Sequence, residues 1–253
     1  MSAALRIRAS FARSFAHRGR LGTLAFLAYY PILKLKQQLV RFTPGFRQWH
    51  ASHHAQDVAF DNEHGFDTSG KLYPVLDEAL GDNRFYGNFY AAVPAAEFRD
   101  VMTRLPITHR DYAFIDYGSG KGRALLLAAE WSFHSVIGVE YAPELHEVAQ
   151  DNIARYLKLG TSTSQFELHC MDAAAYALPK LPTIVFMNNP FGQPVIEQVL
   201  AAIRRSLRDT PRDLWIVYHY PLIPKPFREA DFLEHIYSCD AYQIYQAHTP
   251  QAG

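Results

Sequence analysis

The residues best able to do chemistry fall in three groups along this 253-residue chain. The first is Asp116-Tyr117-Gly118-Ser119-Gly120-Lys121-Gly122-Arg123, an acid followed by three glycines at alternate positions. Glycines let a chain turn sharply and let a ligand approach its backbone. The second is a series of acids, Asp116, Glu140 and Asp172. A carboxylate accepts hydrogen bonds from an ammonium, a pair of hydroxyls or an amino group. The third is Asn188-Asn189-Pro190-Phe191, followed at a distance by His219 within Tyr218-His219-Tyr220-Pro221. A neutral amide orients an N–H without adding charge, and a histidine exchanges protons near neutrality.

The elements that must position these groups alternate along the chain. Ala113 to Asp116 is an apolar run ending in an acid, and Ala124 to Glu130 reads as the helix opening after the glycines. Ser135 to Glu140 and Phe166 to Asp172 are two further strands ending in acids. Between them Pro143 to Leu159 reads as a helix, opened by proline and closed by Gly160. Pro182 to Met187 is a fourth strand, running into the asparagines. Pro194 to Leu207 is a helix by the spacing of Val195, Ile196, Val199, Leu200, Ile203 and Leu207. Leu214 to Tyr218 is a fifth strand, and His235 to Tyr237 with Ala241 to Gln246 reads as a hairpin. Alternating strands and helices build a mainly parallel sheet covered on both faces. Ligands bind such sheets at the carboxyl ends of the strands, where all three acids are expected. The helix N-terminus after the glycines is expected to offer N–H groups to a carboxylate or phosphate.

The Asp-x-Gly-x-Gly-x-Gly pattern resembles the first motif of class I S-adenosylmethionine-dependent methyltransferases. Residues from about 90 to 247 look like that family. Gly118 to Arg123 with Gly138-Val139-Glu140 is similar to its lysine-methyltransferase branch, of the telomeric-silencing type, and to uncharacterised bacterial methyltransferases. The resemblance implies a Rossmann-like α/β fold, a seven-stranded mainly parallel sheet with a terminal antiparallel hairpin. It implies S-adenosyl-L-methionine as cofactor. Asp116, Gly118, Ser119, Gly120 and Gly122 would face its amino-acid end, Glu140 its ribose hydroxyls and Asp172 its adenine amino group. Tyr90, in a Tyr-x-x-x-Pro lead-in ending at Pro94, is a candidate for the cofactor rim together with Tyr86, or else packs its helix to the core. Asn188-Asn189-Pro190-Phe191 is similar to the Asp/Asn-Pro-Pro-Phe/Tyr motif of methyltransferases acting on nitrogen, with Asn189 where that motif has proline. Which asparagine contacts the acceptor stays open. Asn188, Asn189, Pro190, Phe191 and His219 are the expected catalytic group, His219 either as a proton acceptor or as a packed rim residue. The expected reaction is methyl transfer to nitrogen, on a protein side chain or a small molecule.

Charge is uneven although the net is zero. Met1 to Gln56 holds nine basic residues and no acid, so the remainder, with 16 basic residues and all 25 acids, carries −9. Residues 1–56 are read as a basic N-terminal extension, 57–106 as a lid and linker with a helix before the first strand, and 107–253 as the cofactor-binding domain. The apolar run Leu21 to Leu33, interrupted by Pro31, is shorter than the roughly 20 residues that span a bilayer. It fits a helix lying on a membrane surface through residues 1–47, or one packed on the domain. Residues 50–70 read as an irregular polar connector. His50, His53, His54 and His64 lack the acid or cysteine spacing of a metal site. Cys170 and Cys239 show no disulfide framework, which fits a reducing, cytoplasmic compartment, with organellar import left open by the Arg-rich residues 1–20. The other functional classes in view are a non-catalytic S-adenosylmethionine binder and a nucleic-acid binder using the basic arm. The acidic domain disfavours nucleic acid as a partner.

Overall fold

The structure, a computed structural model, describes residues 55–70, 90–160 and 163–249. The expectations for the basic extension, for Tyr86 and for His50, His53 and His54 lie outside these residues. A helix over residues 55–64, here α1, replaces the expected irregular connector. Its signal was hidden because its inward side mixes apolar and acidic groups: Phe60 packs on the core, while Asp57 and Asp61 face a buried arginine of another element.

The next helix among the described residues, α2 (Ala95–Arg104), follows Pro94 and buries Phe98, Val101 and Met102. Then come β1 (Ala113–Tyr117), α3 (Arg123–Ala129), β2 (Ser135–Glu140), α4 (Pro143–Leu157), β3 (Gln165–Cys170) and β4 (Thr183–Asn188). The chain continues through α5 (Gln193–Asp209), β5 (Leu214–His219), α6 (Lys225–Glu229), β6 (Leu233–Ser238) and β7 (Tyr242–Ala247). The seven strands lie in the order β3-β2-β1-β4-β5-β7-β6. Pairing is parallel from β3 to β5, and β7 runs antiparallel to both β5 and β6.

Alternation along the strands divides the core between the two sheet faces. Phe114, Val136, Ile184, Phe186 and Val217 pack with Phe98, Val101 and Met102 of α2 and with Leu125 and Leu126 of α3. Ile115, Ile137, Val185, Met187 and Ile216 pack with Ile196, Val199 and Ile203 of α5. Each fully buried aliphatic or aromatic side chain contributes about 1.5–3 kcal/mol. The sheet is therefore a rigid base for the loops at its carboxyl edge. Among the described residues no helix is long and apolar enough to cross a membrane, and no cluster of metal-ligating side chains is present.

Candidate active site

β1 and β4 are neighbours, while the chain runs from β1 to β2 on the other side. The strand order thus reverses at β1, and the glycine loop leaves its carboxyl end at this switch point. All three loop glycines, Gly118, Gly120 and Gly122, have left-handed backbone. Two of them also face close neighbours: a Cβ on Gly118 would collide with Pro190, and one on Gly120 with the Tyr90 ring. The loop is therefore clasped between the β4 turn and Tyr90. Gly122 caps α3.

Asp116 is 3% exposed. It lies within β1, one residue before its end. Burial, and secondarily Glu140, pushes its carboxyl well above the usual carboxylate value. Its Oδ1 has no hydrogen-bond partner. Glu140, also buried, accepts the Gly120 N–H on Oε2 at 2.8 Å and the Ala142 N–H on Oε1 at 2.9 Å. Burial raises its carboxyl, and those backbone N–H groups offset part of the rise. Each Glu140 oxygen keeps acceptor capacity for a hydroxyl. Asp172 stands two residues beyond β3, and its Oδ1 accepts the Ala174 N–H at 2.9 Å to start a short 3-10 turn.

Four loop N–H groups are used within the protein. Gly118 and Ser119 donate to Val139 O, Gly122 donates to Ser119 O, and Gly120 donates to Glu140. These four shape the loop. The side chains of Lys121 and Arg123 point to α1 and the segment after it. Lys121 Nζ donates to Asp67 Oδ1 at 2.7 Å and to Ser69 O at 2.9 Å. Arg123 reaches Asp57, Asp61 and Thr68, with its guanidinium 4.0 Å above the Phe60 ring. Asn152 of α4 donates to both Asp67 O and Lys121 O. Sequence reasoning missed these partners of the loop; the only hint was two basic residues inside a glycine turn.

At the β4 end, Asn188 and His219 are register partners on adjacent strands. Asn188 Nδ2 donates to Ala91 O at 2.8 Å, which turns its Oδ1 towards His219 Nδ1, also at 2.8 Å. His219 Nε2 meets Glu97 Oε2 of α2 at 2.7 Å. Both ring nitrogens of the buried histidine are thus engaged, one by Asn188 and one by Glu97. In this arrangement His219 is tied to Asn188 on one side and to α2 on the other. Asn189 has φ +43°, a left-handed turn residue. Its Oδ1 accepts from Tyr218 Oη at 3.0 Å. Phe191 is buried in the core face that carries Tyr117 and Met187, so it closes the turn from beneath. Tyr90 is buried, and its hydroxyl donates to Thr68 O at 2.6 Å.

The pair of buried carboxylates at the ends of β1 and β2 fits a cationic ligand. Asp116 Oδ1 lacks a donor, and Glu140 adds repulsion where a positive charge would add attraction. An ammonium-bearing cofactor with ribose hydroxyls supplies what both groups need. Tyr90 and the glycine loop would flank it, with Asp172 near its adenine end.

Residues 114–210 match the family model described as a methyltransferase domain. A search of curated proteins found no match to the chain. Similar solved structures include an RNA methyltransferase from Salinibacter ruber in complex with S-adenosyl-L-homocysteine, at 18% identity and TM-score 0.44, covering 64% of this chain and 95% of that one. They also include an S-adenosylmethionine-dependent O-methyltransferase from Thermotoga maritima, at 13% identity and TM-score 0.47, covering 65% and 69%. A third is an S-adenosylmethionine-dependent methyltransferase from Aquifex aeolicus, at 14% identity and TM-score 0.46, covering 61% and 90%. By that family match the chain carries a methyltransferase domain over residues 114–210, and the sheet order, the clasped glycine loop and the strand-end acids around it fit S-adenosylmethionine as a cofactor.

Proposed function

We propose that the enzyme methylates a nitrogen, on a protein side chain, at the turn Asn188-Asn189-Pro190-Phe191. The observation that carries this reading is the contact of Pro190 with Gly118, which seats the asparagine turn against the glycine loop. When bound, S-adenosylmethionine supplies a methyl group on a sulfonium, an electrophile that needs an in-line nucleophile. The residues of the turn then bind and orient that nucleophile. They carry no charge, so they do not hold an amine in its protonated, non-nucleophilic form. Asn188 is fixed by Ala91 and His219, and Asn189 is fixed by Tyr218. Pre-set side chains contribute by placement, because in-line geometry supplies much of such a rate. Phe191 closes the turn against water from the core side. The acceptor nitrogen's lone pair would form the new N–C bond as the sulfonium C–S bond breaks with its electron pair left on sulfur, giving S-adenosyl-L-homocysteine, and the surplus proton would pass to solvent.

The test is transfer of labelled methyl from S-adenosylmethionine into a cell lysate, with label sorted by chemical class and by the atom methylated. Label on protein nitrogen is the expected outcome, and label on oxygen, carbon or nucleic acid overturns the reading. Replacing both asparagines by Ala should cut turnover by about a hundredfold while cofactor affinity holds. Joint loss of affinity and turnover would place the turn in cofactor binding instead.

A further inference from the structure

We infer that Thr68 is a positioning residue of the cofactor pocket, through which the segment after α1 sets Tyr90 on the glycine loop. The inference rests on the cofactor site described above. Thr68 is 0% exposed, and every polar atom it owns is used. Its N–H donates to Asp61 Oδ2 at 2.8 Å, and its hydroxyl donates to Asp61 Oδ1 at 2.6 Å. The same hydroxyl accepts from Arg123 Nε. Its carbonyl accepts the Tyr90 hydroxyl at 2.6 Å. Asp61 also accepts the Ser69 N–H at 2.5 Å and lies 3.3 Å from Arg123 Nη2. The side chains of Arg123 and Asp61 are 3% and 8% exposed, so this is a buried, charge-assisted cluster.

The cluster leads outward to the ligand groups by contact. Arg123 opens α3 directly after the glycine loop. Tyr90, held at its hydroxyl by Thr68, lays its ring where a Gly120 side chain would stand. The Gly120 N–H in turn donates to Glu140. Thr68 therefore fixes the loop from two sides, through Arg123 at the helix start and through Tyr90 at Gly120. None of its atoms needs to touch the cofactor. A pocket wall held this way is set before the ligand arrives, and affinity gains because less ordering remains to be done on binding.

The test uses the full chain and S-adenosyl-L-homocysteine as the calorimetric probe. Thr68→Val keeps the shape and removes the hydroxyl, so Asp61 and Arg123 each lose a partner. Its affinity should fall about tenfold or more. Thr68→Ser, which restores the hydroxyl, should recover most of the loss. Tyr90→Phe keeps the ring and cuts the tie to the Thr68 carbonyl, so it should also weaken binding, and it serves if Thr68→Val does not fold. Denaturant melts run alongside. A Thr68→Val protein that melts earlier but binds with wild-type affinity overturns the inference, as does equal weakening in the Ser and Val variants. A folded wild-type protein that binds no probe overturns the cofactor site itself, a distinguishable failure.

Discussion

Asp116 is an acid kept in an apolar setting beside a second acid. Its carboxyl value is raised above the ordinary 3.8, first by burial and then by Glu140. Without cofactor, the folded chain therefore holds this proton longer than the unfolded chain does. Stability is unaffected below about pH 4, then falls as pH rises from there towards the raised folded-state value. Asp116→Asn removes the ionisation. The variant should be more stable than wild type at about pH 7 and equal to it below about pH 4, as read from denaturant melts across that range. It should bind S-adenosylmethionine more weakly, since the ammonium loses a charged acceptor. Glu140 is raised in the same direction and adds a pH dependence of the same sign. Glu140→Ala frees the Gly120 and Ala142 N–H groups and deprives the ribose of its acceptor. Calorimetry should show S-adenosyl-L-homocysteine bound about tenfold more weakly or worse, and wild-type affinity would show the loop to be independent of this acid.

At the scale of elements, the β4 turn and the glycine loop are one unit, because Pro190 occupies the space of a Gly118 side chain. Gly118→Ala has to displace Pro190 and hold a residue at φ +79°. It should cost about 1–3 kcal/mol in a denaturant melt. Turnover should fall further than stability does, since the asparagines move with the proline. The sheet and its helices were legible because period-two and helical apolar spacing ran cleanly into proline and glycine signals, as at Pro143 and Gly122. The first hairpin strand, Leu233–Ser238, came out longer than read because β6 alternates weakly at the sheet edge, while the second, Tyr242–Ala247, keeps its expected length one residue further on. α1 was not legible. Its helix is stabilised by Asp57, Asp61 and Phe60 meeting Arg123, a partner more than 60 residues away, and no local pattern announces such a contact. The strand-end acids were legible as a set, but their geometry was not. That Glu140 would hold the loop itself, and that His219 would be spent on Asn188 and Glu97, depended on which strands became neighbours.

At the scale of the molecule, the sheet is threaded out of order at one edge. β7, the last strand in sequence, lies between β5 and β6. A chain emerging from the ribosome therefore completes every cofactor and acceptor residue, through His219, while the flank of β5 is still bare. That flank, Leu214–His219, is buried along its whole length in the finished protein. A long apolar strand with unpaired N–H and C=O groups is a template for pairing with other chains. β6 cannot protect it, because β6 pairs only with β7. The hairpin is thus a closing stitch, and its quality governs yield more than chemistry. A chain stopped after Asp240 keeps all the site residues named above, yet it should collect in the aggregated fraction when expressed. Recovery of that shortened chain as a dispersed protein that still binds S-adenosyl-L-homocysteine would show that β5 needs no such cover.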